Sequence, residues 1–75
     1  MKLEEFIVHF GDELDEMPKD GLKPETVFKE LDEWSSLVAL SVISMVDEEY
    51  DKRLTPSDIR GSETIKDLWE LIEAK

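Results

Sequence analysis

Apolar residues recur at steps of three and four along most of this chain, a spacing that places them on one face of an α-helix. The first such run, over residues 2 to about 14, predicts helix one, with Gly11 inside it as a weak point. Its apolar positions are Leu3, Phe6, Ile7, Phe10 and Leu14. Residues 17–24 contain two prolines and one glycine, which predicts a loop.

The longest apolar run, residues 36–50, predicts helix two, because about fifteen residues without a turn signal favour a helix over a strand. We expect this helix to be the most buried. Its predicted inner face consists of Leu37, Leu40, Ile43, Val46 and Tyr50, widened by Val38, Val42 and Met45. Before it, residues 26–31 offer three core contacts that anchor the connection, namely Val27, Phe28 and Leu31.

Two shorter elements follow. Proline is favoured at the first position of a helix, so residues 56–59 predict a one-turn helix three that Gly61 closes. Thr64 predicts the N-cap of helix four, with Asp67 completing a variant of the capping box, and the helix ends near Ala74. Its inner face is predicted to be Ile65, Leu68, Trp69 and Ile72. The fold class is therefore all-α, a four-helix bundle with three main helices and one short helix.

Acidic side chains dominate the composition, with 20 Asp and Glu against 9 Lys and Arg, a formal net charge of −11 and a sequence pI near 4.3. This balance argues against nucleic acid and anionic membranes as partners and favours basic protein surfaces. Because 40% of the residues are hydrophobic and fall into periodic patterns, we expect a folded single domain over residues 1–75. We expect a monomer, but the sequence itself leaves the oligomeric state open.

The chain contains no cysteine, which excludes disulfides and thiolate metal sites and is typical of a reducing compartment. No apolar stretch is long enough to span a bilayer, and the N-terminus lacks the pattern of a secretion signal. These features predict a cytoplasmic protein.

Few residues suggest catalysis. His9 is the single histidine and has no cysteine or second histidine to pair with, so we expect it to be structural or exposed. Asp47 and Glu48 are adjacent on a helix and point apart, and the spacing of a calcium loop is absent. With no phosphate loop and no base placed to activate Ser36, we expect neither a metal site nor enzyme activity.

Ser36 stands at the head of helix two, a position with two interpretations. Serine is a common N-cap, and as a local pattern Ser36 is typical of one. The same position also suits a phosphate ester, because unpaired N–H groups and a partial positive charge lie at a helix N-terminus.

Acids surround this helix: residues 30–51 contain seven Asp and Glu and no Lys or Arg. They either steer basic partners into encounter or form a solvated face that keeps the domain soluble. Trp34 either seals the preceding loop onto the bundle or lies exposed beside the serine, whereas Trp69 is predicted to be core.

Taken together, the motifs over about residues 27–72 resemble those of the acyl carrier protein family. The resemblance rests on four segments in register, namely Ser36-Leu37, the run Asp47-Glu48-Glu49-Tyr50-Asp51, Leu54-Thr55-Pro56 and Glu63-Thr64-Ile65. In that family four helices form a bundle. The serine that opens the second helix receives phosphopantetheine from coenzyme A, transferred by a separate magnesium-dependent phosphopantetheinyl transferase.

The resemblance makes Ser36 the attachment site for phosphopantetheine, which carries acyl or aminoacyl groups as thioesters. It also implies that Ser35, Leu37, Asp47 and Glu48 contact the partners: the transferase, and loading and condensing enzymes with basic surfaces. The family has Gly-x-Asp-Ser-Leu where this chain has Glu33-Trp34-Ser35-Ser36-Leu37, so Ser35 replaces an aspartate. Serine can still cap the helix there. Ser35 is an alternative acceptor, but the leucine after Ser36 favours Ser36.

Two other functions remain open at this point. One is an unmodified carrier-like module that binds a protein through its acidic helix. The other is a small acidic regulator that competes for the basic surface of a nucleic-acid-binding protein.

Overall fold

The computed structural model describes residues 2–15 and 21–75, and within these it is an all-α bundle, as the sequence predicts. Its helices are α1 (Leu3–Asp12), α2 (Ser36–Tyr50), α3 (Pro56–Arg60) and α4 (Ile65–Glu73), with a 3₁₀ turn at Phe28–Glu30. α1 packs against α2 and α4, and α3 packs against the same two helices. Residues 17–20 of the predicted loop lie outside the described residues.

The helix ends differ little from those predicted. α1 ends at Asp12, two residues earlier than expected, with Gly11 buried inside it. α3 reaches Arg60, one residue past its predicted end, and Gly61 is its C-cap. α4 begins and ends where its capping pattern predicts.

Capping boxes fix the starts of α3 and α4. Thr64 Oγ1 accepts a hydrogen bond from the Asp67 N–H at 3.1 Å, and Asp67 Oδ2 accepts one from the Thr64 N–H at 3.1 Å. Thr55 and Asp58 form the same reciprocal pair at 3.1 and 3.0 Å. The box at Thr64 confirms the prediction; the box at Thr55 has the same Thr-x-x-Asp spacing, which sequence analysis overlooked.

Every helix contributes residues to the core, as do the connections before and after α2. Its fully or almost fully buried members are Phe6, Phe10, Phe28, Val42, Met45, Val46, Leu54, Ile59, Ile65, Leu68 and Ile72. Trp69 is half-buried and packs against this cluster. Phe28 therefore anchors the connection as predicted, but Val27 is 36% exposed. The backbone of Val27 forms an antiparallel bridge with Thr64.

The inner face of α2 differs from the prediction. Its buried residues are Val42, Met45 and Val46, whereas Leu37 and Leu40 are 74% and 57% exposed. α2 is also not the most buried helix, since three of its fifteen residues are buried against three of nine in α4. Apolar residues surround most of α2, so periodicity alone does not select the face that meets the core.

Candidate functional site

Ser35 and Ser36 have separate roles at the start of α2. Ser35 has an extended backbone, with φ −155° and ψ 173°, and its Oγ accepts a hydrogen bond from the Val38 N–H at 3.3 Å. α2 begins at Ser36, so Ser35 is the N-cap, which confirms that a serine in place of the family's aspartate can cap the helix; the interpretation of Ser36 as the N-cap is wrong. The reason is positional: Val38 lies three residues after Ser35, the spacing at which a capping oxygen meets an unpaired N–H group.

Ser36 is consequently left with a free hydroxyl. It is exposed, and within the described residues its hydroxyl makes no hydrogen bond. The backbone oxygen of Ser35 accepts from the Ala39 N–H at 3.0 Å, while the N–H groups of Ser36 and Leu37 have no partner in the same part of the chain. The first turn thus presents a nucleophile-bearing side chain beside unpaired donors, the arrangement that favours an anion.

An open groove of about 580 Å³ lies beside Ser36, between α2 and α3. It is lined by Trp34, Ser35, Ser36, Ala39, Leu40, Ile43, Pro56, Ile59 and Arg60. Most of this lining is apolar, and Arg60 is its charged member. Leu40, which is 57% exposed, gives this groove an apolar surface that methylene groups would cover.

Trp34 packs against the bundle, which confirms one of its two interpretations. Its ring stacks on Phe10 with centroids 6.1 Å apart and meets the edge of Phe28 at 4.9 Å. The neighbouring Glu33 carboxylate accepts a hydrogen bond from the backbone N–H of Asp15. These contacts fix the segment that leads into Ser35, and Trp34 also forms one wall of the groove.

The other predicted site residues fall on two sides of α2. Asp47 lies on the same side as Ser36, roughly 16 Å away along the axis, and two residues predicted to be core, Leu40 and Ile43, lie between them on that side. Leu37 and Glu48 share the other side and line a second groove between α1 and α2. Its other lining residues are His9, Asp12, Glu13, Leu40, Ser41, Ser44, Met45 and Glu49. The predicted partner contacts are therefore all exposed but do not form one patch.

His9 lines the second groove, and its side chain contacts residues of α2. Its Nδ1 lies 3.7 Å from Glu49 Oε1, and its ring meets Tyr50 edge-on with centroids 5.7 Å apart. Burial raises the pKa of the Tyr50 hydroxyl, with smaller contributions from the charges of Glu5 and Glu49. These contacts join α1 to α2.

Of the groove residues, the sequence pointed only to Trp34, Ser35 and Ser36 as part of the site. Leu40 and Ile43 are predicted to be core, although Leu40, four residues after Ser36, lies on the same side of the helix. Arg60 carries no local signal, since only the packing of α3 against α2 brings it to the groove.

Among the described residues, no group of three or more His, Asp or Glu side chains is arranged to hold a metal ion. Across residues 2–15 and 21–75, no helix has both the length and the apolar character needed to cross a membrane.

No protein-family model matches the chain, and the searches of curated proteins and of solved structures found no similar protein. The family resemblance therefore rests on the residues quoted in the sequence analysis.

Proposed function

We propose that this chain is a carrier domain that holds acyl or aminoacyl groups as thioesters on a phosphopantetheine arm attached to Ser36. The observation that carries the proposal is the separation of roles at the start of α2. Ser35 supplies the cap, so the exposed hydroxyl of Ser36 can be esterified without loss of a hydrogen bond that the helix needs.

The surroundings of Ser36 fit the two parts of such an arm. Its phosphodiester would meet the unpaired N–H groups of Ser36 and Leu37 at the positive end of a fifteen-residue helix. Its methylene and methyl groups would cover the apolar lining of the groove, which includes Leu40 and Ile43. When bound, the arm supplies the thiol on which the thioester forms. The domain's own residues attach and orient it, and we propose no catalysis by the domain itself.

The charge of the domain suits transient partners. Asp47 and Glu48 are exposed, and the whole chain carries a formal charge of −11. Such a field accelerates encounter with basic enzyme surfaces and permits rapid exchange between them. Leu37, 74% exposed, and Ser35 stand at the same end as the attachment site, where the transferase and the loading and condensing enzymes must approach.

Intact-mass measurement tests the proposal. The chain is incubated with coenzyme A, magnesium and a broad-specificity phosphopantetheinyl transferase, beside a known carrier as a positive control. We expect the mass to rise by one phosphopantetheine group in the wild type and in Ser35→Ala, but not in Ser36→Ala. An unchanged mass in the wild type, while the control is fully loaded, would refute the function. Loading of Ser36→Ala would refute the choice of acceptor.

A second candidate is an unmodified module that binds a basic protein. The groove between α1 and α2 favours it, because four carboxylates line it and Ser36 does not. It predicts no mass increase in the wild type and binding to a basic partner that Ser36→Ala leaves unchanged.

A further inference from the structure

Arg60 is the feature of the Ser36 groove that the proposed function leaves unexplained. It is the last residue of α3, is exposed, and lines the groove on the side of α3. The backbone around it is held at both ends of α3: the Arg60 carbonyl accepts a hydrogen bond from Lys29 Nζ at 2.9 Å, and Thr55 caps the first turn. Arg60 and Ser36 therefore line one groove, and the backbone that carries Arg60 is held in place.

The charge of Arg60 is unpaired in a strongly acidic chain. Acids outnumber Lys and Arg by 20 to 9, yet within the described residues the Arg60 guanidinium has no carboxylate within 4.0 Å. Among the described Lys and Arg residues only Lys75 forms an ion pair with an Asp or Glu side chain, that of Asp58 at 3.0 Å, so what distinguishes Arg60 is its place in the Ser36 groove. A planar guanidinium presents its donors as a fork that matches two oxygens of a phosphate group.

We propose that Arg60 binds the phosphodiester of the arm on Ser36 and holds the start of the arm on the α3 side of the groove. This inference rests on the proposed function. The phosphodiester would then receive hydrogen bonds from two elements, the first turn of α2 and the last residue of α3. Arg60 is thus a positioning residue for the arm, and loading would add a polar bridge between two helices that already pack together.

Nuclear magnetic resonance of the arginine side chains tests the inference directly. The chain contains two arginines, Arg53 and Arg60, so its ¹⁵N-labelled protein has two Nε–Hε signals. Arg53 is exposed and does not line the groove, and it serves as an internal control. After loading, verified by intact mass, we expect the Arg60 signal to shift and the Arg53 signal to stay in place. The Arg60 shift should shrink near 1 M salt, where charges are screened beyond about 3 Å.

The phosphorus signal of the loaded protein gives a second, independent readout. Its ³¹P chemical shift should differ from wild type in Arg60→Gln, match wild type in Arg53→Gln, and be partly restored in Arg60→Lys, which keeps the charge and loses the fork. A loaded protein in which the Arg60 signal does not move, or in which both arginine signals move alike, would overturn the inference while leaving the carrier function intact. Failure to load would overturn both, and the mass reveals it first.

Discussion

Replacing Ser35 and Ser36 in turn by alanine should affect stability very differently. Ser35→Ala removes the oxygen that accepts from the Val38 N–H, and loss of an N-cap costs about 0.5–2 kcal/mol. The 3.3 Å separation is longer than the usual ~2.9–3.0 Å, and Ser35 is exposed, so we expect a loss in the lower part of that range, about 0.5–1 kcal/mol. In a domain of this size that lowers the Tm by roughly 2–8 °C.

Ser36→Ala is the matched control, one residue away. The Ser36 hydroxyl makes no hydrogen bond within the described residues, and alanine is the best helix former. We expect its free energy of unfolding to stay within about 0.5 kcal/mol of wild type. Ser35→Asp keeps a capping oxygen and adds negative charge at the positive end of α2, so its stability should equal or exceed that of wild type.

Urea unfolding followed by far-UV circular dichroism measures all three variants. Equal m-values would show that the comparison concerns stability alone. If Ser35→Ala were as stable as wild type, or if Ser36→Ala lost as much as Ser35→Ala, the assignment of the cap to Ser35 would be wrong. The argument that Ser36 is free for modification would then fail with it.

Two further predictions concern the packing of α2 and the charge at the start of α3. Met45→Ala should lower the free energy of unfolding by about 2–5 kcal/mol, because Met45 is only 5% exposed. Leu37→Ala, at a 74% exposed site, should lower it by under about 0.5 kcal/mol. Similar losses for the two variants in urea unfolding would contradict the observed buried face of α2. The Lys75 ammonium, and then the Thr55 N–H, hold the pKa of Asp58 below 3.8, so its stabilising effect is present above about pH 4 and is lost as the pH falls through the lowered pKa. Asp58→Asn should therefore unfold at lower urea than wild type at pH 7, and the difference should shrink as the pH falls through the lowered pKa of Asp58; a difference that is independent of pH would refute the linkage.

Local sequence patterns were sufficient to predict most of the helices of the fold. The Thr64 and Asp67 pair fixed the start of α4, and the position of Pro56 predicted α3, because caps and first-turn residues act within one helical turn. The local pattern likewise predicted that a serine stands at the start of α2. It did not distinguish Ser35 from Ser36 as the cap, since both are serines and the choice depends on the backbone conformation of each.

The sequence by itself therefore determined the helices, their order, the acidic surface and the candidate serine. Tertiary packing decided which face of α2 is buried, leaving Leu37 and Leu40 exposed although their spacing fits an inner face. It also placed Arg60 and Trp34 in one groove with Ser36. Periodicity reports which residues share a side of one helix, whereas a groove between helices depends on contacts between segments far apart in the chain.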